Sequence, residues 1–258
     1  MTIDEIKAKI QGNIGREILF YEAVTSTNTI ALELAEKAAE GTVVIADSQD
    51  KGRGRLGRVW ISPPGVNIYM SVVLMPRLRP RDVSLITVMS AVACTSALRN
   101  ITGLEVTIKW PNDLMIQNRK LGGILTEFKT KKHKITSVIV GIGINVNIDV
   151  HKFPKDIKYK VTSLKQEGGV SYSRALLVAE ILNEMDKWYK GLTILGKEHV
   201  LDAWKNLTST LGRRVIIVTP HETLTGTAES IDNEGMLIVR LTSGKIKRIR
   251  SGDLTILR

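Results

Sequence analysis

A single cysteine, Cys94, stands among 258 residues, so no internal disulfide framework can form and the chain suits a reducing compartment. Histidine is scarce as well. His133, His151, His199 and His221 lie far apart without metal-ligand spacing, which argues against a His/Cys zinc site. No apolar segment follows the opening residues Met1-Thr2-Ile3-Asp4-Glu5-Ile6-Lys7, so no secretory signal is read there. The longest uncharged stretch, Val83 to Leu98, is shorter than a membrane span and mixes Ser, Thr and Ala among its apolar residues. Bounded by Asp82 and Arg99, it predicts a buried helix. Internal repeats and low-complexity tracts are missing too. These absences predict a soluble, cytoplasmic protein with no membrane partner.

What the chain has in excess is positive charge: 37 Lys+Arg against 26 Asp+Glu, a formal net charge of +11. Such a balance points to a phosphate-bearing or polyanionic partner without separating nucleotide from nucleic acid. Hydrophobic residues make up 43%, which excludes a disordered or collagenous chain. The length allows one large domain, or a large one followed by a small one.

Hydrophobic periodicity divides the chain. Ile30, Leu34 and Ala38 repeat at helical spacing behind the capping residues Ser26-Thr27-Asn28, predicting a helix that ends near Gly41. Thr42–Ala46 and Val66–Met75 read as strands separated by a polar, Gly-rich loop from Asp47 to Gly65. Val106–Trp110, Leu114–Ile116, Gly122–Phe128 and Ile135–Ile144 read as further strands, with a charged hairpin tip at Lys129–Lys134. Arg174–Tyr189 and Glu198–Leu207 are helical by period. From Leu211 the texture changes to short strands at 215–218, 224–228, 236–239 and 245–249. A boundary near Thr208–Gly212 therefore divides a domain at 1–209 from a small all-β, barrel-like domain at 210–258.

Four runs could carry chemistry. Within Lys51–Arg58 four Lys/Arg and three glycines occupy eight positions, followed by Val59-Trp60. Glycine admits backbone N–H groups close to an anion, and guanidinium forks match phosphate or carboxylate oxygens. A solvated basic loop, or an Arg-Gly patch touching nucleic acid, accounts for the same residues. The run lacks the ending of a P-loop and is not a dinucleotide fingerprint. Lys109-Trp110-Pro111-Asn112-Asp113 places a cation, an indole, an amide and a carboxylate at a strand end, where open sheets bind ligands, although a plain turn stabilised by Asn112 or Asp113 fits equally. Asp113 is of the kind that holds Mg²⁺ together with substrate phosphates. Arg119-Lys120-Leu121-Gly122-Gly123 sets a lysine before paired glycines, which weaken a strand unless something approaches its backbone; a hairpin turn is the alternative. Gly141-Ile142-Gly143-Ile144-Asn145-Val146-Asn147 again puts glycines in an apolar strand, as a bulge also does.

Taken in order, Ser26-Thr27-Asn28, Gln49, Gly52–Trp60, Lys109–Asp113, Arg119–Leu125 and Gly141–Asn145 resemble the signature of the biotin protein ligases, over roughly residues 20 to 190. The C-terminal piece resembles that family's small SH3-like domain. The resemblance implies an α+β fold, with a mixed sheet flanked by helices and a small C-terminal barrel. It implies an enzyme of two steps. Biotin's carboxylate attacks the α-phosphate of ATP to give biotinyl-5′-AMP, and a lysine of a biotin carboxyl carrier protein domain then displaces AMP. No protein nucleophile is needed, so the lack of a Ser/His/Asp or Cys/His constellation agrees with it.

The resemblance assigns roles residue by residue. Ser26, Thr27, Asn28 and Gln49 contact biotin, and Arg53, Gly54 and Arg55 close over biotin and the adenylate phosphate. Arg55, Arg58 and Trp60 serve the phosphate and adenine. Lys120 bridges the biotin carboxylate and the α-phosphate, and with Arg53 supplies the main catalytic charge. Gly122, Gly123, Gly141 and Gly143 leave room for the fused ring. Asn112 and Asp113 serve ATP-Mg²⁺, with Asp113 on the metal, and Asn145 serves the adenine. A homodimer is implied as well. Ser26 has too few residues ahead of it for the winged-helix domain of the family's repressors, so no specific DNA binding is expected. A lipoate- or octanoate-transferring relative is the competing enzyme, but its Gly-Gly-Gly-x-x-x-His run is missing. A basic nucleic-acid-binding protein leaves the Lys109–Asp113 and Lys120–Gly123 runs unexplained. A biotin acceptor fails for want of a Met-Lys-Met-type turn.

Overall fold

The computed structural model describes residues 1–132 and 134–257; His133, part of the expected hairpin tip, lies outside them. The chain opens with a short helix α1 (Ile3–Lys7), fixed by a reciprocal capping box between Thr2 and Glu5. It continues through β1 (Ile18–Val24), α2 (Thr27–Leu34), β2 (Val43–Gln49), β3 (Ile68–Leu74), α3 (Ser84–Thr102), β4 (Val106–Lys109), β5 (Asp113–Ile116), β6 (Arg119–Lys131) and β7 (Lys134–Ile144). Three helices follow: α4 (Leu164–Gly168), α5 (Arg174–Ile194) and α6 (Lys197–Leu207). The chain ends in β8 (Arg214–Val218), β9 (Thr223–Ile231), β10 (Leu237–Leu241), β11 (Ile246–Ile249) and β12 (Asp253–Ile256).

The first seven strands form one mixed sheet in the order β1-β2-β3-β7-β6-β5-β4. Only its β1–β2 pair is parallel. Side chains alternate between its faces. Val44, Val73 and Ile139 meet Ala31 of α2 and Ala35 at its C-cap on one face. Met70, Val72, Leu74, Val138 and Val140 join the larger core with α3, α5 and α6 on the other. With helices on both sides, every residue of β3 is buried, which is why that strand reads as a continuous apolar run.

α3 has the length and hydropathy of a membrane span, yet it is a core helix here, packed against α5, α6 and the sheet. It holds Cys94, whose thiol is pushed up to about 12 by complete burial. Some boundaries differ from expectation. α2 stops at Leu34, well short of Gly41, and Ser26 sits at its N-cap without a side-chain cap bond. β2 runs on to Gln49, three residues into the expected loop.

The last five strands make an antiparallel sheet in the order β11-β10-β9-β8-β12, whose edge strands are not paired with each other. Among the described residues, then, no hydrogen-bonded pair of edge strands closes the expected barrel. It is fastened to the larger sheet through the Lys109–Asp113 run. The Trp110 N–H donates to Thr210 Oγ1 at 2.9 Å, and its indole N–H points to the Gly235 carbonyl at 3.4 Å. Trp110 is thus a buried plug between the two sheets (2% exposed).

Candidate functional site

The runs singled out in the sequence converge on one cavity of about 660 Å³ between the ends of β4–β7, the start of α2, the Gly52–Trp60 loop and β12. Of the predicted site residues, Gly122 alone stays off its wall. A Cβ on Gly122 would meet the Gly143 carbonyl and the Leu114 and Ile144 side chains, so its missing side chain serves strand packing. The other glycines lie under the chain's own side chains. A Cβ on Gly141 would collide with the Asn28 amide, and one on Gly143 would come within 2.6 Å of the Trp60 indole. Trp60 therefore packs on the sheet at Gly143, and its buried indole N–H has no partner among the described residues.

A buried polar network fixes the start of α2. The Thr27 N–H donates to Gln49 Oε1 (2.9 Å), and the Gln49 amide donates to Ser62 Oγ (2.9 Å). The Ser71 hydroxyl lies 2.6 Å from Asn28 Oδ1 and 2.8 Å from Thr27 Oγ1. Asn28 Nδ2 donates to Glu127 Oε2 (2.8 Å) and to the Leu125 carbonyl. Buried polar groups need such partners, so these residues are held in one orientation facing the cavity. Ser26 lies beside them, buried on the wall.

The cations are held by partners of the chain itself. Lys120 Nζ is 2.6 Å from Asp113 Oδ1, and 5.6 Å from the centre of the Trp60 ring. Arg53 pairs with Glu127 (2.6 Å), and Arg55 donates to Asn112 Oδ1 (3.0 Å). Arg58 crosses to Asp253 on β12, and that hydrogen-bonded guanidinium holds the Asp253 carboxyl below its ordinary value. Burial lowers the pKa of Arg55 and of Lys109, and the nearby Asp113 counters it in both. Six cations (Arg53, Arg55, Arg58, Lys109, Lys120 and Lys160) and two carboxylates (Asp113 and Asp253) line the cavity, so it favours an anionic ligand.

Three of the predicted residues have partners within the chain. Asp113, expected on Mg²⁺, is the counter-ion of Lys120. Among the described residues no group of three His, Cys, Asp or Glu could hold a metal ion. Asn145, expected at the adenine, donates its amide to the Thr162 carbonyl (3.0 Å), and Asn112 donates its own to the Ile124 carbonyl (2.7 Å). Both amides tie segments of the wall together. Sequence reasoning missed Glu127, Asp253, Ser62 and Ser71, and the wall residues Phe153, Ile157 and Lys160. Glu127 left one signal, an acid within an apolar strand.

The chain is similar to known proteins over nearly its whole length. The biotin/lipoate A/B protein ligase family matches residues 20–145. The bifunctional ligase/repressor BirA of Bacillus subtilis is 36% identical over 242 residues, which is 93% of this chain and 74% of that protein. The biotin–[acetyl-CoA-carboxylase] ligase of Paracoccus denitrificans is 30% identical over 224 residues, 85% of this chain and 92% of the relative. The chain belongs to the biotin protein ligase family.

The biotin protein ligase C-terminal domain matches residues 210–254, the five-stranded sheet. Among solved structures, the biotin protein ligase from Aquifex aeolicus in complex with biotin and ATP superimposes with a TM-score of 0.81 at 29% identity, covering 94% of this chain and 99% of that one. In a biotin protein ligase, an anion-attracting cavity with a fixed polar end and a ring of partnered cations is the expected equipment for joining a carboxylate to a nucleotide phosphate.

Proposed function

We propose that the protein activates biotin with ATP as biotinyl-5′-AMP and passes the biotinyl group to a lysine of a biotin carboxyl carrier protein domain. The observation that carries this reading is the meeting of Lys120, Arg53, Arg55 and Arg58 around one cavity that Ser26, Thr27, Asn28 and Gln49 also line. A free carboxylate is a poor acyl donor, whereas a mixed anhydride with AMP has a good leaving group. The enzyme's task is to hold two anions together and to neutralise the charge that develops between them.

Lys120, Arg53 and Arg58 are each neutralised by an internal carboxylate: Asp113, Glu127 and Asp253. The incoming carboxylate and phosphates compete for these cations, so binding proceeds by exchange of ion-pair partners. Cations held in place in this way need little reorganisation when the phosphate arrives. Asp113, paired with Lys120, is the carboxylate that would hold Mg²⁺ beside the ATP phosphates, where the ion would supply further neutralisation of phosphate charge. The Gly52–Trp60 loop closes over the adenylate and keeps water from the anhydride, so cleavage within Arg53–Arg58 by a protease slows when biotin and ATP are added together.

The match of residues 210–254 to a module of biotin protein ligases favours biotin over lipoate or octanoate. Incubation with ATP-Mg²⁺, a carrier domain and either biotin or lipoate tests this by the mass gained on the acceptor. Modification by lipoate alone refutes the reading. A homodimer, checked by sedimentation, and a cytoplasmic location complete it.

A further inference from the structure

Between β7 and α4 lies a segment whose inner side lines the cavity and whose outer side the reaction above does not use. Residues 150–161 read Val-His-Lys-Phe-Pro-Lys-Asp-Ile-Lys-Tyr-Lys-Val, four lysines against one aspartate. Their apolar members turn inward. Val150 and Phe153 form a small buried cluster with Ile148, packed by Ile157 and Val161 and by Ile61 and Val66 just beyond the Gly-rich loop. The end of the segment is also fastened to the site, since the Lys120 N–H donates to the Lys160 carbonyl (2.8 Å) and the Thr162 N–H to the Lys120 carbonyl (2.9 Å). Phe153, Ile157, Lys160 and Val161 thereby line the cavity wall.

Lys152 and Lys155 face the other way, whereas Lys160 stands at the rim and also lines the cavity. Lys152, Lys155 and Lys160 are exposed, as is Tyr159 at 79%. Unlike Arg53, Arg58 and Lys120, none of the four lysines forms an ion pair among the described residues; Lys158 rests against its own neighbour, with Nζ 4.8 Å from the centre of the Tyr159 ring. The strap therefore carries unneutralised charge on an anchored scaffold at the rim of the cavity.

A macromolecular acceptor that brings its lysine into this cavity must seat the surface around that lysine on the rim. The acceptor ammonium and the strap repel each other, so productive docking requires acidic groups beside the acceptor lysine to reverse the sign. Resting on the ligase reading, we infer that the outer face of this strap, carrying Lys152 and Lys155, is the docking surface for an acidic face of the carrier domain. Its interaction is long-ranged, screened by salt, and expressed in encounter with the carrier rather than in adenylate chemistry.

The test is the double variant Lys152→Glu/Lys155→Glu, whose residues lie off the cavity wall, measured in both half-reactions. Adenylate synthesis, followed by biotin-dependent pyrophosphate exchange, keeps its rate and its KM for ATP. The KM for the carrier domain rises about tenfold at low salt, and the difference closes as ionic strength is raised. Lys152→Arg/Lys155→Arg restores the parent KM. An unchanged carrier KM with exchange intact overturns the inference. A matching rise in the KM for ATP also overturns it, because the strap then steers nucleotide. So does salt-dependent nucleic-acid binding that the variant loses while its carrier KM is unchanged. Absence of biotin-dependent exchange in the unmodified protein refutes the ligase reading itself, a result separable from any of these.

Discussion

Gly143 on the floor of the cavity and Gly57 in the loop above it lack a side chain for opposite reasons. At Gly143 the space is already taken: an added Cβ would press on the Trp60 indole at 2.6 Å. At Gly57 nothing lies within 4 Å, and what glycine provides is a backbone φ of +73°. The floor is defined by contacts and the lid by their scarcity, with Leu56 and Val59 of the lid 63% and 76% exposed. The lid is nevertheless held near both ends, by Arg53 to Glu127 and by Arg58 to Asp253. Both holds are ionic. The molecule thus pairs a closely packed floor with a cover tied down by ion pairs.

Substitutions separate the two regions, and the largest effect belongs beneath the cover. Lys120→Ala removes the cation assigned to the reacting anions, so adenylate formation falls by about 10²–10³-fold while the thermal unfolding midpoint changes little. A fold that collapses with the substitution breaks the comparison, since Lys120 would then be structural. Next comes Gly143→Ala. Displacing Trp60 raises the KM for biotin and costs about 1–3 kcal/mol in stability, read by chemical denaturation.

The cover responds more mildly. Asp253→Asn frees Arg58, a half-exposed pair that contributes at most about 1 kcal/mol, and is read as faster proteolysis within residues 53–58 of the apo protein. Acid does the same. The Asp253 carboxyl titrates below its usual value in the folded chain, so its stabilisation is present at neutral pH and disappears as pH falls through that lowered value. The Asp253→Asn variant lacks that part of the acid response. The smallest effect is on turnover in Gly57→Ala. It meets no neighbour, and its cost of about 1 kcal/mol arises from left-handed backbone alone.

The same division decides how much was legible in the chain. The floor was readable because steric demands leave glycines in apolar strands: 123, 141 and 143 all lie on the cavity wall. Most of the central sheet was legible for a related reason, since strands covered on both faces are apolar throughout. β1 was missed because it is an edge strand with a mixed pattern (Ile-Leu-Phe-Tyr-Glu-Ala-Val) and partly exposed positions. β12 (Asp-Leu-Thr-Ile) was missed as well, with Leu254 its one buried residue.

Within the site, residue type was readable and partner was not. Nothing local states that Asp113 answers to Lys120, or that the Asn112 and Asn145 amides are engaged by backbone carbonyls. Trp110 carried an ambiguous signal of the same kind: an indole beside a predicted site, used in the fold to join two sheets. Asp253 lies 195 residues from Arg58, and no spacing rule spans that distance.

One consequence of the core concerns measurement. Cys94 is the chain's only sulfhydryl, and α3 shields it completely in a form that resists ionisation. The native surface is therefore inert to maleimides, and a cysteine introduced at Leu56 or Val59 would take a fluorophore at a single known place. Opening and closing of the cover could then be watched by light in real time, without first replacing a native residue.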